Sequence, residues 1–217
     1  SRFEKSSHGI KDAAYHLVLL AKDETGYKSL MKLVSIGYLE GFYYRPRIDK
    51  EVLAKYNDGL IGLSACLKGE VANLILHGDV DGARRTADQY RHIVGKGNYF
   101  SELQDNGMSE QTKANKSLIK IAKDLDIPLV ATNDVHYISR EDARAHEALL
   151  CIQTQTTLDD PNRMKMQTDE FFFKSEEIMK RAFDIVGSIV GLLLTLPLMP
   201  LVALMIKLDS AGPVIYK

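Results

Sequence analysis

Apolar positions along this chain switch repeatedly between the spacing of strands and the spacing of helices. Residues 15–21 form a short apolar run of strand character. Thr25 is placed to cap a helix on which Tyr27, Leu30, Met31, Val34 and Tyr38 recur at helical spacing. Residues 60–64 read as a second strand and residues 99–103 as a third. Between them Ala83, Ala87, Tyr90 and Val94 mark an amphipathic helix that Gly95 and Gly97 help to end. After Ser109, the set Ala114, Leu118, Ile121, Ala122 and Leu125 predicts another helix, and residues 128–132 a buried strand. Ser139 with Asp142 has the spacing of a capping box, opening a helix toward Cys151. Strands alternating with helices in this way predict an α/β fold with a parallel sheet or barrel. The longest irregular stretch, residues 156–168, either covers a site or connects elements.

Composition sharpens this picture in three ways. A charged fraction of 26% beside a hydrophobic fraction of 45% is that of a globular chain, not a disordered one. A net charge of -1 gives no global attraction to nucleic acid, so any such contact must come from local basic clusters. Two cysteines, Cys66 and Cys151, are too few for a disulfide framework and fit a reducing cytoplasm. The chain opens at Ser1 without a signal-peptide pattern and reads as a fragment of a longer product. One region departs from the average. Residues 185–206, from Ile185 through Leu193 to Ile206, carry no charge, and a run of about 20 apolar residues suffices to cross a bilayer. Pro197 and Pro200 would break or kink a helix there.

Candidate chemistry gathers at predicted strand ends, where ligands bind in α/β folds. Asp134 and His136 follow the strand at 128–132 and offer a carboxylate and an imidazole, a suitable pair for Zn²⁺ or Mn²⁺. A helix-capping Asp and a hydrogen-bonded loop His are the alternative. Cys66 ends another strand, as a metal ligand or as a core thiol. His16 opens the first strand, where a lone His beside an apolar run is usually structural. Glu102 and Asp105 either bind metal or cap the helix after Ser109. Arg45 and Arg47 stand among Phe42, Tyr43 and Tyr44, a patch that either stacks bases and neutralises phosphates or is a packed loop. Phosphate-loop, dinucleotide and nucleophile-elbow motifs are absent, which argues against a nucleotide cofactor.

Segments 15–21, 25–49, 59–72, 98–105, 127–137, 146–154 and 157–164 together resemble one family, in order and with natural spacing. It is the PHP domain of the bacterial DNA polymerase III alpha subunit. The resemblance covers residues 1–178 and implies an incomplete, distorted β/α barrel built around up to three metal ions. It implies a place in DNA replication, with DNA and other replicase parts as partners in the cytoplasm. In some members the domain is a metal-dependent 3'–5' exonuclease; in others it is only structural. Carried over by motif, the ligand-like positions are His16, Cys66, Asp134 and His136, holding Zn or Mn. The family's first His-x-His strand, an Asp-His pair and a glutamate precede the point where this chain begins, and its polymerase carboxylates lie far beyond. At most a partial metal site and little nuclease activity are expected.

The tail, residues 179–217, resembles a different family. Lys180, Arg181, Phe183 and Asp184, then the apolar run, then Lys207, Asp209, Ser210, Gly212, Pro213 and Val214 are similar to the membrane segment that opens bacterial sugar transferases of the polyprenyl-phosphate type. That resemblance implies a hydrophobic membrane-type helix broken at Pro197 and Pro200, lipid as partner and inner-membrane association. Leu196 stands where such proteins often carry Ser, and their catalytic Asp-Glu pair would follow Lys217. Three readings compete: a polymerase fragment joined to a transferase start, a truncated membrane-anchored sugar transferase, and a non-enzymatic binding module. Each family lacks here the residues its chemistry needs, which favours the first.

Overall fold

The computed structural model of the chain describes residues 2–3 and 14–179. It divides into two compact units, residues 1–173 and 174–217. Of the second, the described part is 174–179, ending in a helical turn from residue 176. The calls on Ile185, Leu193, Pro197, Pro200 and Ile206 lie outside the described residues. Among the described residues no helix is long and apolar enough to cross a membrane.

In the first unit, strands and helices alternate as the periodicity predicts. They run β1 (Val18–Ala21), α1 (Glu24–Leu39), α2 (Lys50–Lys55), β2 (Leu60–Leu63), α3 (Glu70–Leu76), α4 (Val80–Val94), β3 (Tyr99–Leu103), α5 (Ser109–Leu125), β4 (Leu129–Ala131) and α6 (Ala143–Thr154). The sheet has the order β1-β2-β3-β4, a mixed α/β arrangement in keeping with the expected α/β class. β2, β3 and β4 are parallel, joined by helical crossovers. β1 is the exception: Val18 faces Leu63 and Ala21 faces Leu60, so it runs antiparallel to β2. The start of β1 therefore lies at the same edge as the carboxyl ends of the other three strands. His16, which opens the first strand, is thereby carried to the edge where the remaining candidates stand.

The core forms between the sheet and α4 and α5. Ala83, Ala87, Tyr90 and Val94 of α4 and Ala114, Leu118, Ile121 and Ala122 of α5 are buried, as their helical spacing predicts. Leu33, Val52, Leu53, Leu60, Val71, Ile75, Tyr99 and Ile127 complete it. Each apolar side chain of that size contributes about 1.5–3 kcal/mol when fully buried. The Ser139–Asp142 capping box is present, on a single 3-10 turn that leads into α6.

Helix α1 corrects the sequence reading in two respects. Its cap is Asp23, whose side chain accepts from the Gly26 N–H, and not Thr25. Of the apolar residues assigned to its face, Tyr27, Met31, Val34 and Tyr38 are 47–59% exposed. The buried line is Gly26, Leu33 and Gly37, with Leu30 and Ile36 partly covered against the core. The cause is close approach: a Cβ at Gly26 would stand 1.9 Å from the Gly59 carbonyl oxygen. The helix docks through its smallest residues, and its rings face outward.

Candidate metal centre at the sheet edge

The carboxyl edge of the sheet carries His16 and Cys66, with Asp134 after β4 and His136 two residues further on. After Leu63, Ser64 and Ala65 are buried and Cys66 is half-buried. A tight turn follows, closed by the Gly69 N–H donating to the Cys66 carbonyl at 2.8 Å. A side chain at Gly69 would place its Cβ 2.1 Å from the Ser64 carbonyl oxygen, so the turn needs glycine. The turn holds the start of β1: the His16 N–H donates to the Lys68 carbonyl at 3.0 Å. His16 Nδ1 then lies 3.8 Å from Cys66 Sγ. The antiparallel course of β1 makes that contact, across fifty residues of sequence.

Asp134 follows β4 with a backbone φ of 41°, and Ala65 follows β2 with a φ of 64°. Both are in the left-handed region, a cost of roughly 1–3 kcal/mol each for residues other than glycine. Two strand ends at one edge are thus held in unfavourable conformations. The Asp134 charge acts on both His16 and Cys66. Burial pushes the His16 imidazole down, aided by the positive charges of Lys68 and Arg45 and opposed by Asp134. Burial pushes the Cys66 thiol up, with Asp134 adding to it while a hydrogen bond from the Lys68 backbone opposes it.

His136 is exposed and oriented by its own turn. Its Nδ1 is 2.7 Å from the Asp134 carbonyl oxygen, which can only accept, so the proton sits on Nδ1 and Nε2 keeps its lone pair. The ring stands edge-on to Phe171 at 5.3 Å and to His146 at 5.7 Å between centroids. Thiol, imidazole and carboxylate are the donor types of a zinc-like ion. Among the described residues, however, no group of three or more His, Cys, Asp and Glu is arranged to hold a metal ion. His16, Cys66 and the Asp134 charge come together; His136 is nearby in sequence and packs elsewhere.

Neither Glu102 nor Asp105 caps the helix after Ser109. Helix α5 begins at Met108 without a side-chain cap. Asp105 closes its own turn by accepting from the Gly107 N–H at 3.1 Å. Glu102, 5% exposed, accepts from the Ala65 N–H through Oε2 and from the Thr132 hydroxyl through Oε1 at 2.7 Å. Sequence spacing gave no sign of this bridge, because it depends on β3 lying between β2 and β4. Asn106 is fully buried and its N–H donates to Gln111 Oε1 at 2.7 Å, a structural position.

Arg45 and Arg47 separate in the structure. The Arg47 guanidinium lies 5.1 Å above the Tyr43 ring and donates to the carbonyls of Gly41 and Arg2 at 3.2 Å, which makes it a loop brace. Arg45 is exposed, and its charge reaches His16. The stretch 156–168 folds beside α6, where Arg163 bonds Glu147, and helps to wall a cavity of about 590 Å³. Tyr137 and His146 line that cavity; the His16–Cys66 pair does not.

Residues 3–106 match the family model described as PHP domain, and residues 175–217 that described as bacterial sugar transferase. The chain is 50% identical over 84% of its length to the DNA polymerase III subunit alpha of Treponema pallidum and 46% identical over 85% to that of Borreliella burgdorferi. It is 47% identical over 83% of its length to the corresponding subunit of Thermus aquaticus. It spans about one sixth of the length of these relatives, 15–16%.

Proposed function

From the premise that this chain carries a PHP-domain segment of a bacterial DNA polymerase III alpha subunit, we propose that the edge holding His16 and Cys66 is part of a divalent-metal site serving DNA phosphodiester chemistry. The observation that carries this reading is the 3.8 Å approach of His16 Nδ1 to Cys66 Sγ, with the Asp134 charge acting on both. His16 and Cys66 would hold the ion as the inner pair, Asp134 would supply the negative charge, and His136 would add Nε2. Bound there, Zn²⁺ or Mn²⁺ supplies Lewis-acid polarisation of a phosphoryl oxygen and a more acidic water.

The chain's own residues do the rest. The Nδ1–H bond to the Asp134 carbonyl fixes the His136 tautomer. Arg45 and Lys68, whose charges reach His16, stand ready to attract a DNA phosphate. The thiol proton of Cys66 must leave for metal to bind, so affinity rises with pH. We assign the parent protein to DNA replication in the cytoplasm, with DNA and other replicase parts as partners and 3'–5' exonuclease as the domain's activity. The site in this chain is partial, and nuclease activity is expected to be weak or absent. The match of residues 175–217 supports a sugar-transferase likeness for the tail alone.

Metal content of the purified full chain tests the reading, by elemental analysis beside an Asp134→Ala, His136→Ala double variant. Stoichiometric Zn or Mn in the parent chain, reduced in the variant, is the expected result. Equal metal in both would remove Asp134 and His136 from the site.

A further inference from the structure

We propose that Glu102 is the positioning residue of this edge, its carboxylate setting the distance between the turn that carries Cys66 and the strand end that carries Asp134. The proposal rests on the metal-site reading, but its geometry is independent of any bound ion.

Glu102 lies on β3, between β2 and β4, with 5% of its surface exposed. Its two oxygens bond segments that follow the strands on either side of β3. Oε2 accepts from the N–H of Ala65, the residue before Cys66. Oε1 accepts from the hydroxyl of Thr132, two residues before Asp134, at 2.7 Å. The Glu102 backbone adds a third tie, its N–H donating to Ser64 Oγ at 2.8 Å. The Gln104 side chain bonds the same Thr132 hydroxyl through Nε2 at 3.1 Å, so that Oγ1 is committed to donating toward Glu102.

Neither partner of the carboxylate is a cation. A buried carboxylate without a counter-charge is costly, and core packing alone would be served better by an apolar residue. A carboxylate does here what an amide cannot: it presents two acceptors and no donor to two converging donors. In Glu102→Gln the amide oxygen can still accept from Ala65, but the NH₂ must then donate to Thr132 Oγ1, which reverses that bond and competes with the donation from Gln104. The residues that the bonds restrain are the strained ones. Ala65, at φ 64°, is held directly, and Asp134, at φ 41°, is held through Thr132. Backbone strain of this kind persists where surrounding bonds over-determine it. Glu102 touches neither candidate ligand and acts through the two segments that bear them.

The test uses the full chain, iodoacetamide and Zn²⁺. Alkylation of each cysteine is followed by mass spectrometry, with Cys151, buried at 4% exposure, as the internal report on folding. In Glu102→Gln we expect Cys66 to react severalfold faster than in the parent while Cys151 stays slow. Zn²⁺ affinity should fall about 10- to 100-fold, the usual loss when a group that orients metal ligands is removed. Glu102→Asp should retain part of it. Unchanged Cys66 reactivity and Zn²⁺ affinity, with Cys151 still protected, would overturn the proposal. Should Glu102→Gln unfold, shown by fast alkylation of Cys151, Thr132→Val carries the test, because it removes one bond of the bridge; parent-like Cys66 reactivity there would also overturn it. If the parent chain binds no Zn²⁺, the metal reading fails, and the comparison of Cys66 rates still decides whether Glu102 positions this edge.

Discussion

Tyr90 shows how one buried hydroxyl couples to solution conditions. Its O–H donates to Glu70 Oε2 at 2.7 Å while Lys50 holds the other oxygen at 2.9 Å, and its ring stacks on Tyr99 at 5.7 Å. Burial, then the bond and charge of Glu70, push its phenol far above the usual value of about 10. Burial raises Tyr99 as well. A raised pKa stabilises the fold fully below the unfolded value and loses that contribution as pH rises through the folded one. Stability should therefore hold to about pH 10 and fall beyond it, by up to about 1.4 kcal/mol per pH unit for each such tyrosine. Urea denaturation between pH 8 and 11 checks this. Tyr90→Phe should show a shallower alkaline loss than the parent, and identical slopes would break the assignment. Cys66, Asp134 and His136 were legible as candidates because each ends a strand-like run. The role of Glu102 was not, since an acid at a strand end reads alike whether it meets metal, a helix terminus or two neighbouring strands.

At the scale of elements, α1 separates helical spacing from burial. Leu33 is 2% exposed and its neighbour Val34 57%. Truncating the first opens a cavity and should cost about 2–5 kcal/mol, whereas Val34→Ala should stay within about 0.5 kcal/mol. Thermal or urea unfolding of the two variants measures the difference; equal costs would put the buried face elsewhere. Sequence periodicity found this helix yet assigned four outward residues to its apolar face. Tyr27, Met31, Val34 and Tyr38 have the right spacing, and nothing in that spacing shows that the close contact of Gly26 with Gly59 turns the helix the other way. On α4 and α5 the periodic residues are the buried ones. The strand at residues 99–103 was legible to the residue. The direction of β1 was not, because period-two patterning is the same read either way along the sheet.

Across the whole molecule, the described architecture is a sheet whose candidate edge is drawn from four strands, while most helices pack on its core. The sequence resemblance named the candidate segments, and the fold explains how a His at a strand's beginning reaches a Cys at another's end. Sequence separation bears on the order of folding. His16 and Cys66 are separated by fifty positions, Ala65 and Glu102 by 37, and Glu102 and Thr132 by 30. Closing chain segments of such length is slow compared with forming α4 or α5, whose contacts are local. No short peptide from this chain should therefore reproduce the site, and metal capture should come last in assembly. In a urea titration, release of Zn²⁺ and loss of the helical circular-dichroism signal should fall on one transition. Release at clearly lower urea would mean the edge opens as a separate unit. On the metal-site reading proposed above, a bound ion would act as a clasp on the finished sheet, its occupancy reporting how much of the chain has completed its longest loops.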